Sequence, residues 1–162
     1  MPVEIPLTKG LIALVDDPDV ASVQQYRWHA IKGDGTWYAR RVVHRPDGHP
    51  TAQRLHTFLT GWPMVDHRNG DGLDNRRANL RPATIAQNHA NMRKYGGSSD
   101  FKGVSLIRST GNWRAAVAGK YVGSFADEID AALAYDRAAR LRFGEFAALN
   151  FPEPGERSAL VD

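Results

Sequence analysis

Past residue 100 the hydrophobic pattern changes period twice, and this most restricts what the chain can build. Gly103–Arg108, Trp113–Ala118 and Lys120–Phe125 read as three short strands, joined by turns at Thr110-Gly111-Asn112 and around Gly119. Asp127–Phe143 then reads as one helix. Its acidic start (Asp127, Glu128, Asp130) and basic end (Arg137, Arg140, Arg142) suit the helix dipole, and Gly144 supplies the stop. Ala131, Ala134 and Ala138, with Leu141, make a small-residue face that lets this helix lie close on a three-stranded antiparallel sheet.

Residues 1–60 hold short β-rich runs broken by turn formers. Leu11–Val15 is ended by Asp16, Asp17 and Pro18, and Trp37–Val43 is followed by the turn Pro46-Asp47-Gly48. Arg54–Leu59 reads as a short helix stopped by Gly61 and Pro63. The small-residue stretch Tyr95–Asp100 marks a linker at 96–100, and 153–162 a tail. The fold class expected is α+β, with a small β-rich N-terminal part leading into the central polar segment.

The chain has no cysteine, which excludes a disulfide framework, a thiolate nucleophile and a zinc ribbon. No segment reads as a signal peptide or reaches bilayer-spanning length, so the expected location is the cytoplasm of a prokaryotic or phage-infected cell, with no membrane partner. Net charge is +3, but it is unevenly spread. Residues 61–97 and 98–125 are each +3, whereas 127–145 and 153–162 are each −2. Two consecutive basic blocks suit a surface that meets a polyanion, or a set of solvated arginines.

The stretch Asp66-His67-Arg68-Asn69-Gly70-Asp71-Gly72-Leu73-Asp74-Asn75 turns sharply, because Asn-Gly and Asp-Gly favour positive φ. Asp71 and Asp74 read as turn and capping residues. A helix then starts at Thr84, where Thr84-x-x-Gln87 is a capping box, and it carries Asn88, His89 and Asn91 in its interior. Those residues are poor helix formers, and such violations gather where function lies. Phosphodiester hydrolysis needs a base to deprotonate water, a cation for developing charge, and positioning groups. His67 titrates near neutral pH, and Asp66 offers a hard oxygen for Mg²⁺ or Mn²⁺.

In Asp66-His67, Asn79 and Asn88, with Leu55-His56 ahead and Asn79-Leu80-Arg81 behind, the chain resembles the HNH homing endonucleases of phages and introns. The resemblance spans roughly residues 50–95 and implies a ββα-metal unit within an endonuclease domain at 1–95, with the motif at 55–92. It implies Asp66 and Asn88 as metal ligands, His67 as general base, and Asn79 as the residue that holds the imidazole. Many members have histidine at the last position, where this chain has Asn88-His89, so His89 is a rival ligand. His56 fits packing behind the site.

Residues 101–152 resemble a second family, the Apetala/ethylene-response-factor domain of plant transcription factors. The matching stretches are Phe101-Lys102-Gly103-Val104, Gly111-Asn112-Trp113-Arg114-Ala115, Val122-Gly123-Ser124-Phe125, Asp130–Ala139 and Leu149-Asn150-Phe151-Pro152. This implies a sheet laid in the DNA major groove, with Lys102, Arg108, Arg114, Lys120 and Tyr121 as contacts. Trp113 fits either the core or the DNA, and Arg40, Arg41 and Arg45 either phosphates or a solvated edge. The expected function is metal-dependent nicking of double-stranded DNA by a monomer without a small-molecule cofactor. The alternative is a non-catalytic DNA-binding regulator that retains an HNH fold.

Overall fold

A computed structural model describes residues 1–33 and 35–160. The chain is α+β, with several small antiparallel sheets and short helices, and it divides into two compact units, Met1–Ala83 and Thr84–Asp162.

The first unit opens with an antiparallel hairpin, β1 (Pro2–Pro6) and β2 (Ile12–Asp16), followed by the single turn α1 (Val20–Val23). Strands β3 (His29–Lys32), β4 (Trp37–His44) and β5 (Pro50–Arg54) form an antiparallel sheet in that order. Helix α2 (Leu55–Thr60) ends at Gly61, whose φ of 70° lets the chain reverse without the penalty a Cβ would bring. Strand β6 (Val65–His67) pairs with β7 (Leu80–Pro82), Asp66 lying opposite Arg81 and His67 opposite Leu80. Alternation places Ala13 and Val15 of β2 inward, where they meet Ile5, Val23, Trp28, Ala39 and Leu55 in one core. Trp28 satisfies its buried ring N–H by donating to the Val23 carbonyl at 2.9 Å.

The second unit begins with α3 (Ile85–Asn91), held at its start by the expected capping box between Thr84 and Gln87. Strands β8 (Val104–Ile107), β9 (Asn112–Val117) and β10 (Lys120–Phe125) form an antiparallel sheet with β9 central. Helix α4 (Glu128–Phe143) is capped by Asp127, which accepts from the Ile129 and Asp130 amides. A short parallel pair, β11 (Ala148–Leu149) and β12 (Arg157–Ser158), closes the unit.

Alanines 131, 132, 134 and 139 and Tyr135 bury against the sheet, as the small-residue face requires. Leu141 does not join them; it is 90% exposed, so the face ends at Ala139. An alanine core buries little apolar area, about 0.8 kcal/mol per CH₂, and leaves much of the cohesion to polar groups. Asp136 supplies it. Its buried carboxylate accepts from the Asn150 amide at 2.8 Å and the Phe151 amide at 2.7 Å. Asn150 in turn accepts from the Lys102 amide and donates to the Lys102 carbonyl.

The first compact unit ends at Ala83 and the second begins at Thr84, and the small-residue stretch at 96–100 lies within the second. Ser98 accepts from the Leu106 amide, and buried Ser99 accepts from the Phe101 amide. The 153–162 stretch is no loose tail over its described residues, since Ala159 is buried and hydrogen-bonds Leu149 and Lys94. The β6–β7 pair lies in the first unit and α3 in the second, so the ββα grouping expected from sequence does not fall within one compact unit.

Candidate functional site

In the first unit, β6 ends at His67 and the chain enters the loop 68–79, which is fixed from several sides. The Arg68 amide donates to the Asn79 carbonyl at 2.9 Å. The Asn79 side chain accepts from the Asn69 amide at 3.0 Å and donates to the Asp74 carbonyl at 2.8 Å. The Asn79 side chain thus ties the two ends of the loop together. Asp71 accepts from the Leu73 amide, as a turn residue does, and the Asp74 carboxylate binds Arg76 at 2.6 Å and Asn69 at 2.9 Å. Arg76 and Asn69 hold the Asp74 carboxyl below the usual carboxylate range.

The N-terminal hairpin, which sequence reading left without a role, supports this loop. Leu14 of β2 donates to the Leu73 carbonyl and accepts from the Asn75 amide, each at 2.8 Å. Asp16 accepts from the Arg77 amide at 2.7 Å, and Asp19 pairs with the Arg77 guanidinium.

His67 is 5% exposed and sits 4.9 Å, ring to ring, from the equally buried His56. The Tyr38 ring lies 5.8 Å from both. Tyr38 is itself clamped, since a Cβ at Gly33 or Gly72 would approach its ring to 2.6 or 2.5 Å. Burial, with the neighbouring His67 and Arg54 charges, lowers the His56 pKa to about 3, so that ring is a neutral packing element. Burial also lowers the His67 pKa, opposed by the Asn75 side chain and by Asp66, Asp71 and Asp74. Burial thus favours the neutral form of His67, the state in which an imidazole accepts a proton.

Asp66 is buried beside it, and its Oδ2 accepts from Arg81 Nε at 2.7 Å. Asp66, His67 and Asn79 thus share the first unit, whereas Asn88 and His89 belong to α3 in the second.

In the second unit, Arg114 lies between Ser105 and Ser124 on the sheet face turned away from α4. Arg114 and Tyr121 are exposed and 5.9 Å apart, guanidinium to ring. Arg108 is exposed in the turn after β8, and Lys120 at the turn end of the β9–β10 hairpin. Trp113 packs with Phe101 and Phe125 against the helix-side core, which settles its role.

Lys102 departs from expectation. Its ammonium donates to the carbonyls of His89, Ala90 and Met92 at 3.5, 2.6 and 2.5 Å, closing the C-terminal end of α3. It is taken up by a helix end and not displayed for a phosphate. Burial and Arg157 lower its pKa to about 8 from the ordinary 10.5. Between these values the unfolded chain binds the extra proton, so stability should rise with pH across that window. Urea unfolding at pH 7.5 and 9.5 should show a gain of about 1–2 kcal/mol in the wild type that Lys102→Met loses.

No protein-family model and no solved structure matches the chain. It is similar to two proteins of Arabidopsis thaliana. It is 45% identical over 56 residues to dehydration-responsive element-binding protein 2E, covering 32% of this chain and 23% of that one. It is 39% identical over 69 residues to dehydration-responsive element-binding protein 2C, covering 39% of this chain and 20% of that one. The chain thus spans about a fifth to a quarter of these curated relatives.

Proposed function

We propose that the chain is a DNA-binding protein whose second unit holds duplex DNA and whose first unit carries an HNH-type, metal-dependent endonuclease centre. The similarity to two element-binding proteins and the Arg114–Tyr121 face support the binding. The observation that carries the nuclease reading is the buried His67 at the start of a loop fixed by Asn79, Asp74 and the N-terminal hairpin. A general base needs such rigidity.

The donor set fits a hard divalent cation, Mg²⁺ or Mn²⁺. Asp66 would offer it the hard carboxylate oxygens that such an ion takes. The resemblance implies Asn88 as second ligand. Such an ion, when bound, neutralises charge on the phosphoryl oxygens. His67 accepts the proton of the attacking water, and the clamped Tyr38 keeps its ring in one orientation.

A second reading has its own support. Asp66 is buried and ion-paired with Arg81 at 2.7 Å, as a purely structural carboxylate would be, and the relatives are named for binding alone. On this reading the protein is a non-catalytic DNA-binding regulator. Supercoiled plasmid separates the two. Conversion to relaxed circles with Mg²⁺, abolished by EDTA, is the result expected of the nuclease. Salt-dependent duplex binding without cleavage under any divalent metal would leave the regulator.

A further inference from the structure

The exposed face of the β3–β4–β5 sheet carries a row of bases. In register across all three strands, His29 lies opposite Arg40, and Arg40 opposite Arg54. Directly opposed residues share one face of a sheet, with Cβ atoms roughly 5 Å apart. Like charges in that position destabilise the pairing. The three strands themselves contain no aspartate or glutamate to compensate. Among the described residues neither Arg40 nor Arg54 has a carboxylate or hydrogen-bond partner, and both are exposed. Arg41, by contrast, faces the other way. It donates to Gln53 and lies 3.5 Å over the Tyr26 ring, so it serves packing.

The row also has a direction. Arg54 stacks on Tyr38 at 4.6 Å, and Tyr38 lies against His67. The strip runs along the sheet to the candidate catalytic imidazole.

We propose that the His29–Arg40–Arg54 strip binds the sugar–phosphate backbone of duplex DNA and leads it to His67, as a contact surface separate from the Arg114 face. Arginine guanidinium groups grip phosphate oxygens with paired N–H donors, and a polyanion laid across the row turns the like-charge repulsion into attraction. The inference rests on the DNA-binding reading above, though not on cleavage.

The test uses the full chain and a fluorescein-labelled random-sequence DNA duplex, with affinity measured across a salt series. Each phosphate contact contributes about 0.9 to the slope of log affinity against log salt. Arg40→Gln/Arg54→Gln should therefore lower that slope by about 1.8, with Arg114→Gln tested alongside for the other face. Arg40→Gln alone should lower it by about 0.9 and, having lost the opposed charge, should unfold at a higher temperature. The single variant decides the matter if the double one fails to fold. Unchanged affinity and slope in a folded variant would overturn the proposal, as would a wild type that does not bind duplex. A lowered slope in a protein that never nicks plasmid would remove the nuclease and keep the strip. Nicking with an unaltered slope would do the reverse.

Discussion

Replacing Gly103 with alanine is expected to unfold the second unit under conditions in which the wild type is stable. Gly103 has a φ of 73°, a conformation that costs an alanine about 1–2 kcal/mol. The larger cost is steric. A Cβ there would lie 2.0 Å from one Tyr135 ring carbon, 2.3 Å from the next, and 2.7 Å from the Ala116 carbonyl oxygen. Tyr135 is 5% exposed inside the α4 interface, and Ala116 is fixed by its own amide bond to the Gly103 carbonyl. Neither can yield without opening the sheet. Overpacking of this kind costs about 1–3 kcal/mol or more, so the sum is a large share of a total stability of about 5–15 kcal/mol. Thermal unfolding followed by helix circular dichroism at 222 nm, to which the long α4 contributes most, measures it, and an unchanged midpoint would mean that Tyr135 is not seated under Gly103. Duplex affinity should fall in parallel, because the Arg114 face is presented by the same sheet.

The second large effect is expected at His67. Removing a positioned general base slows proton transfer by about 10²–10⁴-fold, so His67→Ala should reduce plasmid nicking by that factor while leaving duplex affinity in gel shifts near wild type. The imidazole also fills space between Tyr38 and His56, and His67→Gln keeps most of that volume. If both variants remain folded by circular dichroism and neither binds DNA more weakly, a rate loss reports chemistry and not collapse. Cleavage at the wild-type rate in either variant would end the assignment of His67 as the base.

The second unit was largely legible in the sequence. Its strands, α4 with its acidic start and glycine stop, and the Thr84 capping box all depend on local spacing, which a sequence displays directly. What escaped detection is set by distant partners. Lys102 reads like any surface lysine until the fold brings three carbonyls of α3 around its ammonium. The backbone bonds from Leu14 to residues 73 and 75 leave no side-chain signature, which is why the first 50 residues looked uninformative. The bonds within the small-residue stretch at 95–100 were hidden for a related reason. Serines that suit a free linker are equally good at accepting amide hydrogens in a packed turn. At the candidate centre, Asp66, His67 and Asn79 were singled out through the resemblance to HNH endonucleases. The Arg81 pairing of Asp66 and the Tyr38 clamp on His67 depend on strand register and on two glycines far apart in the chain.

The bonds between β2 and the loop bear on what a transplant of the motif would have to include. Residues 55–92 look like a self-contained cassette, yet the loop at their middle is anchored by Leu14 and Asp16, and their closing helix by Lys102. A graft of that cassette into another scaffold would arrive without its anchors at either end. A transplant that preserves the anchors must carry the first sixteen residues with the loop and Lys102 with the helix.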